Sequence, residues 1–320
     1  MLPSKSGYAI LFIVLGMFFI SVNDMIIKRF SGEYPLHQMV FLRSAIGMFF
    51  TLILIQLEGG WRILKTDQPG LHALRAVMVF ASNMTYFAAL AVLPLPDATA
   101  LFFIAPIMIT VLSIPILGER VGPRRWGAVI VGFCGTLIMV RAQGSTRGDI
   151  SIWIYLLPIL AAFFYATMQV LTRKLAKTKA SAMAFYIQIT FVLFCGISGL
   201  IVGNGQFSDG VQHPSLVFLL RAWIVPTAED MSYFVLIGIL ATGVGYCLSQ
   251  AYRSAPAATV APFEYVLLPT SIVWGWVIFA DWPGLPVWFG SAIIIAAGLY
   301  VNGVNINFHQ GTDTGSAIET

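Results

Sequence analysis

Four ionisable side chains, Asp24, Arg43, Arg75 and Glu264, fall inside long apolar runs of this sequence. A charge held in hydrocarbon is costly unless it is paired or wetted, so each of the four is a candidate for binding a ligand or a proton. Their formal charges sum to zero, which permits a mutually neutralised interior. Glu264 is the deepest, roughly 12 Å into its run, between Phe263 and Tyr265. A substrate or proton site accounts for it, and so does a structural ion pair. Arg43, about 9 Å into its run, suits either ligand contact or snorkelling. Arg75 opens its run and reads as an anchor reaching for the headgroups. Asp24 precedes Lys28 by one helical turn, so pairing on a shared face competes with ligand contact.

A second set is polar and uncharged: Asn83, Tyr86, Gln169, Gln188, Tyr246 and Gln250. Asn83 and Tyr86 share a helix face by spacing, and Tyr246 and Gln250 do the same. Such faces suit a ligand with hydrogen-bonding edges, and they equally suit helix-to-helix bonds within a bundle. The candidate substrate-binding residues are therefore Asp24, Arg43, Asn83, Tyr86, Gln169, Tyr246, Gln250, Glu264 and Tyr265. Asp97, behind Pro96 at a helix start, reads as a helix-terminal carboxylate. Glu119, near Arg124 and Arg125, reads as a loop salt bridge.

Catalytic signatures are missing. The chain has no HExxH, no nucleophile elbow and no Walker A loop, so ATP hydrolysis within it is excluded. His37, His72, His213 and His309 are too scattered for a metal site, and nothing calls for a cofactor. Cys134, Cys195 and Cys247 lie in apolar runs without ligand-like spacing and read as small core residues.

The elements that must position these groups are membrane helices. Of 320 residues, 58% are hydrophobic and 10% charged, and the mean hydropathy is +0.84. A chain this apolar has too little polar surface for water, so its main solvent is the lipid bilayer. About 20 apolar residues span the hydrocarbon, and ten such runs can be drawn: 7–27, 37–57, 70–92, 96–117, 123–141, 151–172, 180–202, 229–250, 256–279 and 285–304. The first is too long for a signal peptide and reads as a retained helix. The stretch Leu216–Val225 is too short to span and reads as a surface segment. Residues 305–320 read as a disordered cytoplasmic tail.

Lys and Arg outside the runs number 11 on the N-terminal side and 5 on the other, which places both termini in the cytoplasm of an inner-membrane protein. The net charge of +4 is explained by these loop residues and needs no nucleic acid.

The chain also repeats itself. A shift of 145 carries Phe18, Phe19 and Lys28-Arg29 onto Phe163, Phe164 and Arg173-Lys174, and Asp24 onto Gln169. A shift of 160 carries Tyr86, Ala91, Pro96, Ala98 and Thr99 onto Tyr246, Ala251, Pro256, Ala258 and Thr259. With a three-residue insertion, Pro106, Gly127 and Gly135 meet Pro269, Gly290 and Gly298. Five spans per half is odd, so the second copy enters the bilayer inverted. The expected fold is all-α and integral to the membrane: ten transmembrane helices as an inverted repeat of two five-helix halves, 1–145 and 146–304. Secondary transporters use this arrangement to build two gates around one site.

Arg43, Arg75, Pro96-Asp97-Ala98-Thr99-Ala100 with Pro106, and Leu117-Gly118-Glu119 followed by Trp126-Gly127 resemble the drug/metabolite transporter superfamily. The EamA family of ten-helix carriers is the nearest pattern, over residues 7–304. In the second half Ala280-Asp281 stands where the first has Gly118-Glu119, so the glycine is lost there. The resemblance implies a central cavity lined by helices one to four and six to nine, with the fifth and tenth serving as scaffold or homodimer surface. It implies an amino acid, a vitamin such as riboflavin, or a similar aromatic or zwitterionic small molecule as substrate, moved by alternating access. A membrane-embedded enzyme acting on a lipid-linked substrate, with Asp24 or Glu264 as base, is the alternative.

Overall fold

The computed structural model describes residues 5–118, 151–208 and 210–293, with single positions between 123 and 138 and residues 295–296. The fifth run at 123–141, the end of the tenth, the Glu119–Arg125 cluster, the boundary at 145 and the tail at 305–320 lie outside these residues or are described only in fragments.

The described residues fold into helices: α1 (Lys5–Phe30), α2 (Leu36–Glu58), α3 (Pro69–Leu90), α4 (Leu95–Phe102), α5 (Ala105–Leu117), α6 (Ile152–Lys174), α7 (Ala180–Val202), α8 (Pro214–Leu220), α9 (Ala228–Ser254), α10 (Ala257–Val260) and α11 (Leu267–Phe279). Gly60–Leu64 and Ala261–Val266 form 3-10 turns. Helices are what such runs must form, because every backbone N–H and C=O must be satisfied within the segment once water is gone. Among the described residues, seven stretches are long and apolar enough to cross a membrane, with α4 and α5 together making one span over Leu95–Leu117. Residues such as Leu200 (88% exposed) and Phe49 (63%) point outward, as lipid-facing side chains do.

Two of the expected spans are broken. The fourth changes course at Phe103 and Ile104, where α4 ends and α5 begins one residue before Pro106. The ninth, expected as one run over 256–279, divides into α10, a 3-10 turn and α11, and only Phe263–Phe279 counts as an apolar helix, too short to be a full span. Pro262 has no N–H to donate, so α-type bonding lapses there into the tighter pattern. The expected surface segment is the short helix α8, beside an extended stretch to Thr227.

Packing interlocks the first and second parts of the chain. α1 lies along α9, α6 lies along α3, and α2 lies along α7 and crosses α9. That last crossing is close because it is made of glycines. A Cβ on Gly238 would meet Ile46 Cγ2 at 2.6 Å, and one on Gly47 would meet the Gly238 carbonyl at 2.9 Å. Thr242 Oγ1 donates to the Gly47 carbonyl across the same contact at 2.8 Å. Small residues with a cross-helix hydroxyl bond are how membrane helices pack without a hydrophobic drive between them.

α5 and α11 end alike. Gly118 closes α5 with φ 71 and Ala280 closes α11 with φ 54, both left-handed. Ala280 is the one non-glycine residue with positive φ among the described residues. The glycine missing from the second half has therefore not taken its turn with it.

Candidate functional site

α1, α2, α3, α4, α6, α7, α9 and α11 enclose a cavity of about 970 Å³, counted to its open mouth. α3 presents Arg75, Val79, Ser82, Asn83 and Tyr86, the i, i+4, i+7, i+8, i+11 stripe of one helix face. α9 presents Ala241, Val244, Gly245 and Leu248 by the same rule, with Ser249 beside them. Rings come from Phe102, Tyr165 and Phe191.

At one end the polar groups form a chain. Asn23 Nδ2 donates to Asp24 Oδ1 at 3.1 Å, and its amide oxygen accepts from Arg43 Nη1 at 3.3 Å. Arg43 Nη2 donates to Asn83 Oδ1 at 3.1 Å, and the guanidinium lies 5.3 Å over the Phe191 ring. Asn23 thus joins a carboxylate to a guanidinium through a neutral amide. Tyr86 faces Asp24, and its hydroxyl is 3.1 Å from Thr99 Oγ1. Lys28 reaches the carbonyls of Leu90 and Leu93 at 3.2 and 2.9 Å, tying the end of α1 to the end of α3.

The second polar position is Arg75. Its sequence setting reads as a snorkelling anchor, but the side chain is 2% exposed and turned inward. Nε donates to Thr172 Oγ1 at 2.6 Å, Nη1 to the Met183 carbonyl at 3.1 Å and Nη2 to Ser249 Oγ at 3.1 Å. Enclosure by α6, α7 and α9 gives the guanidinium protein partners, so it has no need to reach the headgroups.

Glu264 stands behind the cavity wall. Its Oε1 accepts from Tyr165 at 2.8 Å and from Tyr252 at 2.6 Å. Gln169 Nε2 donates to the Tyr165 hydroxyl at 2.7 Å. Two tyrosines, where an ion pair was one expectation, satisfy this buried carboxyl. The Tyr165 ring packs 5.2 Å from Phe102, which packs 5.3 Å from Tyr86, so a row of rings links the acid to the cavity.

Of the nine candidates, the structure brings Asp24, Arg43, Asn83 and Tyr86 to the cavity lining. Gln169 and Glu264 sit one layer back, through Tyr165. Tyr265 packs edge-on to Phe103 at 5.4 Å. Tyr246 donates to Glu58 Oε1 at 2.8 Å, and Gln250 accepts from Arg253 at 3.0 Å. These two share a face, as their spacing requires, but it is not the face that α9 turns to the cavity: Tyr246 follows Gly245 and is rotated by about 100° from it. Tyr86 and Tyr246 therefore do not flank one site. Arg75, Gln188, Asn23, Ser82, Tyr165 and Ser249 line or build it without having been among the nine. One signal was present: the offset of 145 that carries Asp24 to Gln169 also carries Arg43 to Gln188.

The described residues thus form a bundle of apolar helices, long enough to cross a membrane, around a buried and partly charged cavity. Residues 7–141 match the EamA-like transporter family. The chain is 28% identical over 301 residues to the riboflavin transporter of Rhizobium johnstonii, covering 93% of this chain and 92% of the relative. It is 25% identical to the S-adenosylmethionine uptake transporter of Rickettsia prowazekii, covering 88% and 87%. It is 27% identical to the pseudopaline exporter of Pseudomonas aeruginosa, covering 92% and 94%. A solved crystal structure of a protein of this fold superposes with a TM-score of 0.66 at 16% identity, over 92% of this chain and 96% of its own.

Proposed function

We propose that this chain is a secondary transporter or facilitator that moves a small metabolite across the inner membrane by alternating access. The observation that carries the reading is the cavity itself: its wall is drawn about equally from α1–α4 and from α6, α7, α9 and α11, with charged and amide groups facing inward. A ligand there touches both parts of the chain, so it can bias one against the other. Relatives bearing transporter names match over nearly the full length of this chain.

Reciprocal packing supports an inverted repeat of two halves, 1–145 and 146–304. Under the offsets found in the sequence, α1 corresponds to α6 and α3 to α9, so the α1–α9 pair and the α6–α3 pair are the same contact made twice. The breaks near Phe103 and over Ala261–Val266, and the paired left-handed ends at Gly118 and Ala280, fit the same scheme. In this reading the fifth and tenth helices complete ten, and the termini are cytoplasmic. Asp24, Arg43, Asn83 and Tyr86 form the head of the substrate site, with Arg75 and Gln188 added to them.

The test is uptake into vesicles containing the purified chain. Labelled substrate should appear unchanged inside, faster than in protein-free vesicles, and Asn83→Ala and Tyr86→Ala should slow it. Chemical conversion of the label at the membrane without net movement would show a membrane-embedded enzyme and sink the proposal.

A further inference from the structure

The cavity carries one guanidinium more than its acids match. Asn23 joins Asp24 to Arg43, whereas no hydrogen bond of Arg75 among the described residues goes to an acid. The bonding partners of Arg75 are a hydroxyl of Thr172, a hydroxyl of Ser249 and the carbonyl of Met183, all neutral. A guanidinium has five N–H groups, and these three bonds leave two for something else. A buried cation held only by neutral dipoles is short of the counter-charge that makes such burial affordable.

Gln188 stands on the same cavity wall: it is 3% exposed, and its Nε2 lies against Gly47 of α2. On α7, Met183 marks Arg75 and Phe191 marks Arg43, eight residues apart or about 12 Å along the axis. Gln188 falls between them. Along this line stand Arg75 at one end, the Gln188 amide in the middle, and at the other the Asp24–Asn23–Arg43 group, in which Arg43 Nε is itself buried without a partner.

We infer that the substrate carries one anionic group, a carboxylate or its equivalent, which docks on Arg75, while the rest of it lies along the wall that carries Gln188. The inference rests on reading this cavity as the transport site. An ammonium-only or strictly neutral ligand would leave Arg75 unmatched. A bound inorganic anion has the same chemistry, and the experiment separates the two sources.

Thermal unfolding of the full chain in detergent reads ligand binding by mass action. The probes are acid and amide pairs of equal shape: indole-3-acetate and indole-3-acetamide, nicotinate and nicotinamide, glutamate and glutamine. In at least one pair the acid should bind on the order of tenfold more tightly, the advantage expected of a charge-assisted bond. Arg75→Lys should keep part of that preference and Arg75→Gln should erase it. The unmodified protein alone carries the comparison if Arg75→Gln fails to fold. Equal binding within every pair, or tighter binding of the amides, would overturn the anionic subsite. So would inorganic phosphate that stabilises as strongly as the acids and displaces them, since the counter-charge would then not be the substrate's. Amides that bind and are carried into vesicles would defeat the subsite and leave the transport reading standing. An acid that binds through Arg75 yet never crosses would do the reverse.

Discussion

Replacing Glu264 by leucine or by glutamine should have very different consequences. Oε1 accepts two tyrosine hydroxyls, at 2.8 Å from Tyr165 and 2.6 Å from Tyr252, and both tyrosines are buried. Leucine removes the acceptor and strands both donors. A buried donor left without a partner costs about 1–3 kcal/mol, so Glu264→Leu should lose about 2–6 kcal/mol. Glutamine keeps an oxygen in the same place and converts charge-assisted bonds to neutral ones, at a cost of up to about 2 kcal/mol. The ranking wild type, then Gln, then Leu is read from thermal unfolding in detergent. Tyr165→Phe and Tyr252→Phe should each fall between wild type and Leu. A leucine variant as stable as the glutamine variant would mean that the two hydroxyl bonds are not made, and the account of this buried acid would fail. Transport adds a separate reading. If the carboxyl takes part in substrate or proton binding through Tyr165, Glu264→Gln should transport at least tenfold more slowly while remaining folded, whereas a purely structural acid predicts transport near wild type.

Ala280→Gly should raise stability by about 1 kcal/mol, because an L side chain at φ 54 pays about that much for a left-handed turn. Gly118→Ala should lower stability by a similar amount, and equal melting of all three proteins would deny the shared turn. Gly238→Ala forces a methyl against Ile46 at 2.6 Å and should destabilise by about 1–3 kcal/mol. Tyr246→Phe should cost about 1 kcal/mol for its bond to Glu58 and leave ligand affinity unchanged, whereas Tyr86→Ala should weaken it; a loss at Tyr246 alone would put the cavity elsewhere. A cysteine at Asn204 should react with an impermeant thiol reagent from outside the cell and one at Thr178 should not, with the opposite pattern reversing the orientation.

Long apolar runs were legible because the bilayer imposes one solution on them, and seven of the drawn spans coincide with helices to within a few residues. The ninth was not, since Pro262 breaks the hydrogen-bond ladder inside a run that hydropathy alone reads as continuous. Four residues of the candidate cavity lining were visible, Asp24, Arg43, Asn83 and Tyr86, where a charge or a polar group at depth is itself the signal. Arg75 was misread because distance from a span end does not say whether the side chain turns toward lipid or toward Thr172 and Ser249. Tyr246 and Gln250 were misplaced by a rotation of about 100°. Spacing says which residues share a face; only the neighbouring helices say where that face points.

The pairing of α1 with α9 has a consequence for how the chain is made. Asp24 and Asn23 leave the ribosome early, and the helix that packs along theirs begins at Ala228. At about 5–20 residues per second, some two hundred residues of synthesis occupy on the order of 10–40 s. Through that interval α1 sits in the membrane with its polar residues and its packing face uncovered. α3 likewise waits for α6. A chain cut short before α9 has α3 paired with α6 and α2 with α7, and leaves α1 without the helix that packs along it. Quality control in the membrane thus has a well-defined target, an early helix whose mate has not yet been translated.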